Sequence, residues 1–232
     1  MIRQLFPLLT AILFYAAVPL FAADKGFPST SESLSYEIVL PTGLVAGTGK
    51  LDAVRGAGWW DFSLSLDASL PGVPVKDEFR STSSHQLCST SLVKQSEHGR
   101  RKTHETLTFD GAAGEVIRRT KDGGESRQKI ESCAKDALTY LYFARQQFAD
   151  GKTPKPETVI FGAAYKVRME KAGKEDVTVG NKKESADRVV ISFEGPASNA
   201  SFELLLARDK ARTPLLIRAP LLIGPVALRL VR

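Results

Sequence analysis

The feature that most constrains this chain is a two-residue rhythm. Between Asp61 and Leu70, Phe62, Leu64, Leu66, Ala68 and Leu70 alternate with Asp61, Ser63, Ser65, Asp67 and Ser69. Successive side chains of an extended strand point to opposite faces, so this stretch buries one face and wets the other, as antiparallel pairing requires. The rhythm recurs elsewhere. Leu34, Tyr36, Ile38 and Leu40 alternate with Ser35, Glu37 and Val39, and Tyr165, Val167 and Met169 with Lys166, Arg168 and Glu170. Val189, Ile191 and Phe193 form another set, Phe202, Leu204 and Leu206 another, and Val226, Leu228 and Leu230 close the chain. Turn signals such as Pro41-Thr42-Gly43, Pro71-Gly72, Asp110-Gly111 and Asp122-Gly123-Gly124 separate the segments. The reading is an all-β dominated fold, a curved antiparallel sheet or up-and-down β-barrel of about a dozen strands. So many strands in one open sheet would curl, and closure would remove exposed edges.

One stretch breaks the rhythm. Within residues 133–151, Leu138, Leu141, Tyr142 and Phe148 recur at helical spacing and share one face. Asp136 is a suitable N-cap, because its carboxylate can accept from helical N–H groups that lack partners, and Gly151 is a suitable stop. This predicts one α-helix over about 136–150. An isolated helix cannot bury such a stripe, so it packs against or plugs the curved sheet.

The beginning of the chain reads as an address. Arg3 is followed by an apolar run from Leu5 to Phe21 and a small-residue exit at Ala22-Ala23, so residues 1–22 are expected to be a secretory signal peptide. That run is shorter than the roughly 20 residues of a spanning helix and contains Pro19. Residues 23–33 read as a flexible linker and 34–232 as a single β-barrel-like domain, with no transmembrane span in the mature chain. The expected location is the periplasm or cell envelope. Cys88 and Cys133, the two cysteines, are expected to form a disulfide in that compartment. The formal net charge of +6 is modest and spread along the chain.

The order of these signals resembles the bacterial family called domain of unknown function 3108 over roughly residues 33–232. The resemblance is carried by Leu34-Ser35-Tyr36-Glu37-Ile38 with a Gly-rich return, by Leu107-Thr108-Phe109-Asp110, by Asp136-Ala137-Leu138-Thr139-Tyr140-Leu141-Tyr142, and by Arg212-Thr213-Pro214-Leu215 before a closing strand. The family typically has Asp-Pro-Leu at the helix start, where this chain has Ala137. The resemblance implies an exported, mostly antiparallel envelope protein and carries over no catalytic residues. By analogy of shape alone it also points to envelope lipid carriers.

No constellation for catalysis is legible. His85, His98 and His104 are scattered, and His104-Glu105 lacks the second histidine of a zinc-protease helix. A nucleophile elbow, a phosphate loop and a nominated carboxylate pair are all missing. Trp59 and Trp60 adjoin on a strand, so one can face outward only if the other packs inside. The basic run Gly99-Arg100-Arg101-Lys102 reads as a solvated hairpin tip. The expectation is a non-catalytic protein without metal or other cofactor, and export argues against a nucleic-acid partner. Two functions remain open. The first is binding of a lipid or other apolar ligand within the sheet, lined by Phe62, Leu64, Leu66, Leu138, Leu141, Tyr142, Val167 and Met169. The alternative is a structural or assembly factor that meets an envelope protein partner through its outer surface. A carbohydrate- or cell-wall-active enzyme is the least favoured reading.

Overall fold

The computed structural model describes residues 31–70, 73–196, 199–221 and 224–232. The leader, the linker as far as residue 30 and the Pro71-Gly72 turn lie outside the described residues.

Among the described residues the chain begins with β1 (Glu32–Val39), β2 (Val45–Arg55), β3 (Trp59–Leu70), β4 (Val73–Ser84), β5 (Ser89–His98), β6 (Arg101–Asp110), β7 (Glu115–Thr120) and β8 (Glu125–Lys129). A two-residue β9 (Lys135–Asp136) leads into α1 (Ala137–Ala149). The chain continues as β10 (Glu157–Ile160), β11 (Ala164–Val179), β12 (Lys182–Glu194), β13 (Asn199–Ala207), β14 (Pro214–Leu221) and β15 (Gly224–Val231). β1 therefore begins inside the stretch read as linker.

All fifteen strands form one sheet, in the order β8-β7-β6-β5-β4-β3-β2-β1-β15-β14-β13-β12-β11-β10-β9. The order is up-and-down throughout, and every pair is antiparallel except β9 with β10. The first and last strands meet in the middle, where Tyr36 pairs with Leu230. The edges are β8 and β9.

A sheet this wide has to curl, because strand twist accumulates across it. The curl carries β9 to the start of β5, where the Ser89 N–H donates to the Ala134 carbonyl at 3.0 Å. Cys88 and Cys133 are disulfide-bonded across the same seam, with Cα atoms 4.6 Å apart. Strands β6 to β8 continue past the seam as a wing. Leu92, Leu107, Phe109 and Val116 of β5 to β7 bury themselves against Ala134 and Ile160. In the other half, the β11–β12 hairpin shifts register between Lys171 and Gly173. Its far end lies against β14, where Arg218 donates to Glu175 at 3.1 Å.

The helix fills the inside of the curve. Asp136 caps it, accepting from the N–H groups of Leu138 and Thr139. Gly151 ends it at φ +76°, a left-handed conformation that glycine adopts without steric penalty. Burial extends beyond the single stripe expected from the sequence. Leu138 and Tyr142 join a core of Tyr36, Leu51, Phe62, Leu205 and Leu215. Tyr140, Ala144 and Phe148 join another with Val167, Met169, Ile191 and Leu204. Sheet surrounds the helix, so it needs apolar groups on two sides.

Arg145 is the largest side chain buried within the helix and is fully sealed from solvent. Its guanidinium forms an ion pair with Glu32, one of whose contacts is 3.0 Å, and donates to the Ala211 carbonyl at 3.0 Å. Burial alone would lower its pKa, but the hydrogen bond and charge of Glu32 outweigh that and raise it. The pair joins the helix, β1 and the β13–β14 turn.

Candidate functional site

The face of β1 to β5 that points away from the helix is polar by register. Glu37, Thr48, Asp67, Lys76 and Glu97 form one rung across the five strands. Ser35, Lys50, Ser65, Glu78 and Gln95 form the next. These two rungs line a solvent-open trough of about 940 Å3, bounded on the β15 side by Val231. Its charges are largely matched locally: Lys76 with Asp67 at 3.3 Å, Arg229 with Glu37 at 2.8 Å, and Lys102 with Glu97 at 2.9 Å. The trough therefore offers alternating donors and acceptors with little net field. That suits a polar partner surface better than a single ion.

On the inner face, the residues nominated as ligand lining separate into distinct groups. Phe62, Leu138 and Tyr142 are buried together, with Leu64 partly buried beside them. Val167 and Met169 belong to the second core, and Leu141 touches both. Leu66 packs with Ile38, Ala68 and Val226 near one end of the sheet. The rings of Phe62 and Tyr142 stack with centroids 4.2 Å apart, and Trp60 stacks on Phe62 at 5.9 Å. Trp60 is 5% exposed and Trp59 is 41% exposed, so the pair divides between the faces as strand geometry requires.

Two polar clusters interrupt the inner face. At the seam, the Asp136 carboxylate accepts from Leu138 N–H, Thr139 N–H and the hydroxyls of Ser81, Ser89 and Thr139. These partners come from β4, β5 and the helix, so a completely buried carboxylate is fully hydrogen-bonded. In the wing, Glu105 accepts from Arg118 at 2.5 Å and from Lys94 at 3.5 Å. The Arg118 hydrogen bond, opposed by burial, holds the Glu105 carboxyl below its ordinary range. Burial lowers the Lys94 pKa despite the nearby Glu105 charge. Gly162 lies over this cluster, and a Cβ there would stand 3.0 Å from Glu105 Oε2. Lys94 also lies 4.1 Å from the centroid of the Phe161 ring.

The histidines are dispersed. His85 meets the Gly56 carbonyl, His98 meets Asp77 at 2.9 Å, and His104 lies on β6. Among the described residues, no group of three or more His, Cys, Asp or Glu side chains could hold a metal ion. No helix among them is long and apolar enough to cross a membrane.

Sequence reasoning missed the trough, because polar rungs appear only when neighbouring strands are placed in register. It also missed Arg145, although the signal was present: Arg145 falls three residues after Tyr142 on the apolar stripe.

The family described as a protein of unknown function, DUF3108, matches residues 35–231. No curated protein and no solved structure matches the chain.

Proposed function

The chain belongs to the DUF3108 family, and from that premise we propose that it is an exported, non-catalytic protein of the cell envelope, acting as a structural or assembly factor through its outer surface. Export is supported by the leader-like first 22 residues and by the Cys88–Cys133 disulfide, a bond typical of oxidising compartments. The carrying observation is the Phe62–Tyr142 stack at 4.2 Å, which occupies the middle of the space a carried apolar ligand would need. An accessible concavity of about 940 Å3 lies on the opposite face, in the trough between β1 and β5. The strongest inner polar clusters have structural work: Asp136 caps the helix and Glu105 bridges Arg118 and Lys94.

Native mass spectrometry of protein taken from its own compartment by mild extraction tests this reading. The expected spectrum is the bare processed chain. A stoichiometric lipid adduct that disappears on Phe62→Trp substitution would replace the assembly factor with a lipid carrier.

A further inference from the structure

Alternation of direction in the sheet puts the ends of β1, β3, β5 and β14 and the starts of β2, β4, β6 and β15 at one end. They adjoin one another there. The Gly99 N–H donates to the Pro74 carbonyl at 2.9 Å, joining the β5–β6 tip to the start of β4. A Cβ on Gly224 would stand 2.9 Å from the Pro41 ring, so the start of β15 abuts the β1–β2 tip.

The described residues of this rim include exposed apolar side chains. Leu44 is 64% exposed, Val45 45% and Val73 41%. Pro41, Pro74, Pro220 and Pro225 are exposed beside them. Proline has no backbone N–H, so these tips bring fewer unsatisfied donors into an apolar medium. Below the rim, Ile38, Ala68 and Val226 are buried and Leu40 and Val75 pack partly buried against them, so apolar matter continues from the core to the surface.

Cations flank the apolar tips. Arg100 and Arg101 at the β5–β6 tip are exposed, and no ion pair engages either among the described residues. The nearby acids are engaged, Glu97 with Lys102 and Asp77 with His98.

We propose that this rim docks on a bilayer surface containing anionic headgroups. Leu44, Val45 and Val73 enter the boundary between headgroups and acyl chains, and Arg100 and Arg101 lie against lipid phosphates. Apolar tips beside unneutralised cations match the two components of interfacial binding. A second copy docked on the same rim would instead bury the arginines of both molecules without counter-ions. The inference is independent of what occupies the polar trough.

Flotation of the purified chain tests it, using vesicles of phosphatidylcholine alone and of phosphatidylcholine with an equal part of phosphatidylglycerol. The wild-type chain should float with the anionic vesicles, and less so as salt is raised. Leu44→Asp with Val73→Asp should weaken association about tenfold or more. Leu44→Ser with Val73→Ser should act in the same direction without an added charge. Arg100→Gln with Arg101→Gln should remove the preference for anionic vesicles. Val54→Asp replaces a residue 47% exposed at the far end of β2 and should float like wild type. Thermal melts matching wild type would establish that the variants are folded. Failure of wild type to float, or equal loss in Val54→Asp, would overturn the proposal. So would concentration-dependent dimerisation without flotation, abolished by the rim variants, because it would assign the rim to a second copy.

Discussion

Arg145 shows how far a single residue can hold separate elements together. Breaking a buried ion pair by removing one partner is destabilising by about 3–5 kcal/mol, because the remaining charge is stranded. Arg145→Met should therefore lower the unfolding free energy by about that much in urea titration. The Glu32→Leu/Arg145→Met double variant should recover only part of the loss, since the Ala211 and Arg212 carbonyls also lose their donor. A single variant as stable as wild type would mean that the guanidinium contributes nothing net. The wing cluster makes a pH prediction. Glu105 has a folded pKa below its ordinary 4.5, so its contribution is fully present above that value and is lost as pH falls through the folded pKa. Lys94 has a folded pKa below 10.5, so stability rises with pH between its folded value and 10.5. Glu105→Gln should be less stable than wild type at neutral pH, yet lose less on acidification below about pH 4.5. Parallel curves for the two proteins would reject the assignment. Little of this was legible beforehand. Glu105 reads as one polar residue on an alternating strand, and Arg118 meets it only through the β6–β7 pairing.

At the scale of elements, legibility followed hydrophobic contrast. β3 and α1 were plain, the first because its faces differ at every step and the second because Asp136 and Gly151 bracket an apolar repeat. β8, Glu-Ser-Arg-Gln-Lys, has no apolar position to carry a period, and its charges instead suit an exposed edge that must resist pairing with other chains. β9 and β10 are two and four residues long, too short for a pattern, and they exist because the curled sheet offers them partners. The disulfide was legible from the cysteine count and the expectation of export, and its position explains its value. It closes a 45-residue separation beside the helix start. Loop-closure entropy assigns such a bond roughly 4 kcal/mol. Cys88→Ser, Cys133→Ser and the double variant should all melt well below wild type, with the double no worse than either single. Melting temperatures unchanged by substitution and by reductant would show that the sheet closes its seam unaided.

At the scale of the whole molecule, the two joins between the chain's halves are unequal. On one side β1 and β15 pair within a continuous ladder backed by the main core. On the other, the hydrogen bond from Ser89 to Ala134, the Asp136 cluster and the disulfide hold β5 against β9. Beyond that seam the wing ends in an exposed strand and rests on a small core of Leu92, Leu107, Phe109, Val116, Ala134 and Ile160. Local opening is easiest where few apolar contacts and many exposed backbone hydrogen bonds coincide. Hydrogen exchange read by mass spectrometry should therefore find β7 and β8 exchanging before β1, β2 and β15 in the intact protein. In Cys88→Ser the order should be kept, but fast exchange should spread inward through β6 and β5 to β9 and the first turn of α1. The β1–β15 ladder should remain slow, because it is an unbroken backbone ladder backed by Tyr36, Leu51 and Leu230. Uniform acceleration across all strands would mean that the sheet opens as one cooperative unit and that the seam is not its weaker join.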